Sequence, residues 1–281
     1  MVIDKLESTR ALTLMCQMQL CITKNVDVNF ENYKGYNGYY HLKQNRISIL
    51  PTQSSVGILL SLVHEFTHVY RSQFNKNEET WLSEGLAKLI EYKVSTVWPE
   101  SYQRKLKANP VLIYENSERR YGVNGDGYSD SFWLVYYLYQ HFGADQFLTK
   151  VLRSKLSGWK NVLNVIAELQ ESGVIAKNTN ILNQDAILRH FAVAMLVNDQ
   201  FAAKYALFSM GSDYAPLSSS GFPEPVSANL MPGPGRQIIY SHKSVISQAR
   251  EKFVVRSINP LVVEPVTTSN SDKGLYYISI F

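Results

Sequence analysis

The chain has 281 residues, more than the commonest domain size of about 100–150, which predicts one elaborated domain or two packed ones. With 45% hydrophobic and 19% charged residues, and with 18 Tyr, 12 Phe and 4 Trp, its composition is that of a folded protein and excludes disorder over most of its length. The net charge of +4 is spread over single and paired basic residues such as Arg119 and Arg120, which gives no sign of a nucleic-acid partner, and no apolar run approaches the ~18 residues of a membrane-spanning helix.

As far as about Asn25 the apolar spacing is helical. Residues 11–22 are interrupted by Thr13, Gln17 and Gln19 and no small-residue cleavage site follows, so they read as an amphipathic helix rather than a signal segment. Cys16 and Cys21, five positions apart on that helix, are expected to point in different directions and to build no disulfide framework. Strands are predicted over residues 26–30 and 39–50, with Gly35, Asn37 and Gly38 in the turn between them. After Pro51, Ser54 and Ser55 offer N-caps to a buried helix that carries Ile58, Leu59, Leu62, Val63, Phe66 and Val69 to about Phe74.

Residues 75–79 turn the chain into a second helix from about Thr80 through Tyr92. A looser stretch around Pro99 and Pro110 precedes a third, from near Ser129 to Gly143. Helical patterns continue over residues 145–156, 159–171 and 184–197. Residues 211–235 are rich in Gly, Pro and Ser, and strands are predicted beyond them at 237–240, 252–257, 261–266 and 275–280. The expected class is α+β, with a small N-terminal mixed sheet and two key helices in residues 1–100. A helical subdomain would occupy 101–205, and a β-rich appendage 206–281.

The first buried helix contains His64-Glu65-Phe66-Thr67-His68. Four residues advance a helix by about 6 Å and about 40° beyond a full turn, so both imidazoles leave one face and can converge on a single ion. Glu65, rotated by about 100°, is too far round to join them but can reach a water on that ion, which makes it the candidate general base. A catalytic zinc site usually takes three protein ligands and leaves a fourth position to water. The third candidate is Glu84 in Trp81-Leu82-Ser83-Glu84-Gly85-Leu86-Ala87, where Gly85 and Ala87 are small enough to let two helices approach closely. Glu78, Glu79 and Glu91 are its rivals, the first two in the turn and the last almost two turns beyond.

Other features are weaker. Asn124, Gly125, Asp126, Gly127 and Asp130 read as a tight turn rather than a calcium loop, because Tyr128 stands at a ligand position and no bidentate Glu follows. His41, His141, His190 and His242 lack ligand spacing and read as ordinary surface or core histidines.

His64 to His68 followed by Trp81 to Ala87 resembles the gluzincin metallopeptidases, in which HExxH precedes a helix bearing a glutamate ligand in an E-G-x-A context. The gap before Glu84 is a few residues shorter here than in the best-known members. Tyr128-Ser129-Asp130-Ser131 and the aromatic helix after it are similar to the Y-x-K-G segment of gluzincin aminopeptidases, with Asp130 and Ser131 in place of Lys and Gly. The similarity spans roughly residues 39–199, where 188–199 resemble an F-A-V-A helix of secreted bacterial gluzincins. The pentapeptide is also similar to the H-E-Y-T-H of bacterial collagenases.

The resemblance implies a zinc-dependent hydrolase of protein or peptide substrates, with Zn2+ held by His64, His68 and Glu84 and Glu65 as general base. It nominates Tyr128 as donor to the oxyanion, a role that suits a neutral phenol in a dry cleft, although Tyr128 could equally pack beside Tyr121 or Tyr136. It implies that residues 39–50 form a sheet edge able to pair with extended substrate, and that the protein is exported, secreted or periplasmic. The aminopeptidase motif G-x-M-E-N is missing before His64, which favours an endopeptidase. The alternatives are an aminopeptidase and an inactive metallopeptidase-like module that binds another protein.

Overall fold

The computed structural model describes residues 2–95, 127–176, 183–184, 186–188, 190–191, 227–230, 236–241, 262–265 and 275–280. The chain divides into two compact units, Met1–Pro99 with Asn116–Thr179, and Glu100–Glu115 with Asn180–Phe281. The described residues are mixed α+β and mostly helical.

In the first unit, helix α1 (Val2–Gln17) buries Glu7, Ala11 and Met15, a repeat of four that places one side of the helix against its neighbours. The expected continuation to Asn25 fails at Gln19, whose φ of 62° is left-handed. Gln19 N–H donates to Cys16 O at 2.9 Å and Leu20 N–H to Met15 O at 2.8 Å, the paired bonds of a Schellman terminus. That reversal corrects the reading of the cysteines. With Cys21 beyond the helix end, its Cα lies 4.3 Å from that of Cys16, and a disulfide joins the two.

The first sheet has the order β1-β3-β2, formed by β1 (Asp27–Phe30), β2 (Gly38–His41) and β3 (Arg46–Ile49). The single strand expected over 39–50 is instead a hairpin, broken where Asn45 takes a φ of 50°. Strand β3 pairs in parallel with β1 and antiparallel with β2. The edge beside the following helix is therefore β2, and the strand immediately before that helix is central. Opposed pairs Gly38↔Ile49 and Tyr40↔Ile47 share one face, and an added Cβ on Gly38 would meet Glu65 on α2 (Ser55–Ser72), so this face lies on that helix.

Helix α2 begins where the sequence places it, with the Ser54 hydroxyl accepting from Gly57 N–H at 3.2 Å. Then follow α3 (Thr80–Ser95), α4 (Gly127–His141), α5 (Asp145–Arg153) and α6 (Gly158–Glu171). Their core is aromatic, with Phe66, Trp81, Phe132, Trp133, Tyr136, Tyr137, Phe142 and Phe147 fully buried. Trp81 stacks on Trp159 with centroids 5.2 Å apart.

Arg71, near the end of α2, is 2% exposed and is the knot of this unit. Its guanidinium donates to Glu78 at 2.7 and 2.9 Å and to the backbone carbonyls of Leu152 at the end of α5 and of Ser154 and Leu156 in the α5–α6 connection. Arg71→Ala strands the buried Glu78 carboxylate and three carbonyls, so it is expected to cost about 3–5 kcal/mol. Denaturant unfolding of the metal-free protein measures this, and a second change, Glu78→Gln, is expected to recover part of the loss.

In the second unit the helical residues Gln184, 186–188 and 190–191 fall in the predicted helix, whose remainder lies outside the described residues. A four-stranded antiparallel sheet has the order β4-β5-β7-β6, from β4 (Ser227–Leu230), β5 (Arg236–Ser241), β6 (Val262–Pro265) and β7 (Leu275–Ile280). Strand β4 was not anticipated in the Gly- and Pro-rich tract, and the strand predicted at 252–257 lies outside the described residues. The readings at Arg119, Arg120, Tyr121, Asn124, Asp126 and His242 lie outside them as well.

Candidate metal centre

Helix α2 is buried on its apolar stripe and also at His64, Glu65 and Thr67, because it runs between α1, the sheet and α3. The four-residue spacing brings the two imidazoles together, with Nε2 of His64 and Nε2 of His68 3.1 Å apart. From α3, Glu84 Oε2 lies 3.1 Å from His64 Nε2 and Oε1 lies 3.5 Å from His68 Nε2. Ligands bound at about 2.0–2.1 Å in a tetrahedron stand about 3.3 Å from one another. The donor spacings are close to that edge, so the set could hold a metal ion. Among the described residues, His64, His68 and Glu84 are the group of side chains that could hold a metal.

The other nitrogen of each ring is also engaged. His68 Nδ1 is hydrogen-bonded to Ser83 Oγ at 2.9 Å, and His64 Nδ1 donates to Glu91 Oε1. Glu91, weighed in the sequence as a rival to Glu84, thus meets the His64 ring at the nitrogen turned away from Glu84 and is not in the converging group, and Ser83 went unnoticed in the sequence. Signals for both existed: Glu91 follows Glu84 by seven residues, two turns along one helix face, and Ser83 is its immediate neighbour.

The electrostatics of the metal-free site suit a cation. Burial and Lys88 push the His64 pKa down, but the carboxylates of Glu91 and Glu84 outweigh them and carry it up to about 10. Burial alone would raise the Glu84 carboxyl, yet the imidazoles of His68 and His64 pull it well below the usual range. Burial raises Glu65, against the pull of the two histidines. Without an ion, a proton on His64 supplies the positive charge that these carboxylates favour.

Glu65 and Tyr128 line the same cavity as the three donors, an open cleft of about 480 Å3 that Tyr36 and Tyr39 of the β1–β2 turn and edge strand also line. Glu65 points at β2: a Cβ at Gly38 would come within 2.8 Å of its Oε1, so the missing side chain there makes room for the carboxylate. Tyr128, in the first turn of α4, lies with its ring 6.3 Å from that of His64. Burial, and then Glu84, push its phenol far above the ordinary value, so it stays neutral.

The remaining candidates fall elsewhere. Glu78 is tied to Arg71, Glu79 accepts from Trp81 Nε1 at 2.6 Å, His41 is hydrogen-bonded to Ser48 at 2.9 Å, and His141 packs on Tyr137 with centroids 4.5 Å apart. Gly85 has a different purpose from the one expected. A Cβ there would lie 2.5 Å from Val135 Cγ2 and 2.6 Å from Ser131 O, so the glycine admits α4 rather than α2. Gly85→Ala gains helix propensity of about 1 kcal/mol but forces α4 outward, and overpacking of this kind costs about 1–3 kcal/mol. The expected result is a lowered Tm in a thermal melt, because the carbonyl in the way belongs to backbone.

Comparison of the sequence with protein-family models gives no match, and comparison with curated proteins gives none either.

Proposed function

We propose that this chain is a zinc-dependent metallopeptidase of the gluzincin type, cutting internal peptide bonds of protein or peptide substrates. The observation that carries this reading is the convergence of His64, His68 and Glu84 on one point, with the Glu65 carboxylate on the wall of the same open cleft. Two histidines and a glutamate are a donor set of catalytic zinc sites, which keep one position for water. When bound, zinc lowers the pKa of a water and polarises the carbonyl to be attacked.

The chain's own residues supply the remaining chemistry. A Glu65 carboxylate oxygen accepts the proton of the attacking water and returns it to the departing amine; burial, by raising this carboxyl, strengthens it as a base. The Tyr128 hydroxyl, kept protonated, donates to the oxyanion that develops on the substrate. Strand β2, an outer strand of its sheet whose Gly38 packs against Glu65, offers backbone groups to an extended substrate. Export to a secreted or periplasmic location belongs to the same proposal, and the Cys16–Cys21 disulfide supports it, since such bonds persist in oxidising compartments.

The test is incubation of zinc-replete protein with a peptide library, free and blocked at the amino terminus. Cleavage of both sets at internal bonds supports the endopeptidase, and a strict need for a free amino group replaces it with an aminopeptidase. If the ion binds and no peptide is cut, the protein is a binding module built on this site.

A further inference from the structure

Glu84 and Glu91 project from one face of α3, two turns apart, and grip the same imidazole from opposite sides: Glu84 at Nε2 and Glu91 at Nδ1 of His64. Between them on that helix, Lys88 places Nζ 2.7 Å from Glu91 Oε1 and 5.6 Å from the centre of the Tyr128 ring. Both members of the ion pair are mostly buried, with side chains 20% and 15% exposed.

We propose that Glu91 is a positioning residue for the metal ligand His64, and that Lys88 fixes Glu91 while seating the ring of Tyr128. The inference rests on the zinc reading above. A carboxylate accepting Nδ1–H locks imidazole in the tautomer whose lone pair is on Nε2, the atom turned toward Glu84 and His68, and makes that nitrogen a better donor. Lys88 acts one step further out. By pairing with Glu91 it holds the carboxylate in register with the ring, and its ammonium lies over the face of Tyr128, an attractive arrangement. One lysine thereby ties the metal side of the cleft to the proposed oxyanion donor.

The experiment measures zinc affinity by competition with a chromophoric chelator, together with the visible spectrum of the cobalt-substituted protein. Glu91→Gln is expected to weaken zinc by about 10–100-fold and to shift the cobalt bands. Lys88→Met, which leaves Glu91 in place and serves if Glu91→Gln does not fold, is expected to weaken zinc less and to shift the cobalt bands, with Lys88→Arg restoring both. Unchanged affinity and spectrum in Glu91→Gln overturn the role of Glu91, and the same result in Lys88→Met overturns that of Lys88. Failure of the unaltered protein to take up zinc would instead remove the metal reading itself, before any variant is compared.

Discussion

Glu65→Gln is expected to lower kcat/KM on a cleaved peptide by about 10²–10⁴-fold, the range that a positioned general base contributes, and to leave zinc content unchanged. The separation follows from geometry. His64 and His68 turn toward Glu84, whereas the Glu65 carboxylate is directed at Gly38 of the edge strand, so Glu65 is not among the converging donors. The amide has the same shape and fits the same space, so no repacking is demanded. Burial already disfavours the charged form of this residue, and a neutral group there is expected to hold or raise the unfolding temperature. A variant that loses activity while keeping fold and metal isolates the proton-transfer role. Full hydrolysis by Glu65→Gln would remove Glu65 from the mechanism.

Glu84→Ala is expected to do the reverse and take the metal away. It removes one of three donors, so zinc should weaken by more than the roughly 100-fold at the upper end of what loss of an outer partner brings, with peptide cleavage falling in parallel. Elemental analysis after dialysis against a mild chelator gives the number. In the metal-free protein the same change deletes the hydrogen bond to His64 and the carboxylate beside His68, leaving Glu91 to hold His64 alone. Zinc retained at full occupancy in Glu84→Ala would show that another donor takes the third position.

The parts of the centre that could be read from sequence are those fixed by helical geometry. The spacing of His64 and His68 has one meaning on a helix, and the apolar stripe from Ile58 to Val69 made the helix independently certain to be buried. Ser54 was readable because a hydroxyl at that position has a single local partner. What escaped depended on contacts between distant segments. Glu91 was weighed as a ligand because sequence shows that a carboxylate lies along a face, not which nitrogen of a ring it meets. Gly85 was assigned to the wrong neighbour because α4, which it admits, begins at Gly127, far along the chain. Gln19 carries a side chain that does not announce a positive φ, and it ends a helix; Asn45, of a type that often adopts one, splits a strand. The first of these also brought Cys16 and Cys21 together.

All three donors, the base, and the two outer partners on α3 lie between Ser55 and Ser95, in a single uninterrupted helical hairpin. On the proposed reading, the residues that would hold the ion are therefore carried by one contiguous stretch of sequence. The surfaces that would meet a substrate, the turn bearing Tyr36, the strand with Tyr39 and the start of α4 at Tyr128, come from outside it. On the proposed reading, changes in those flanking pieces would alter what is recognised while leaving in place the helical hairpin that would run the reaction.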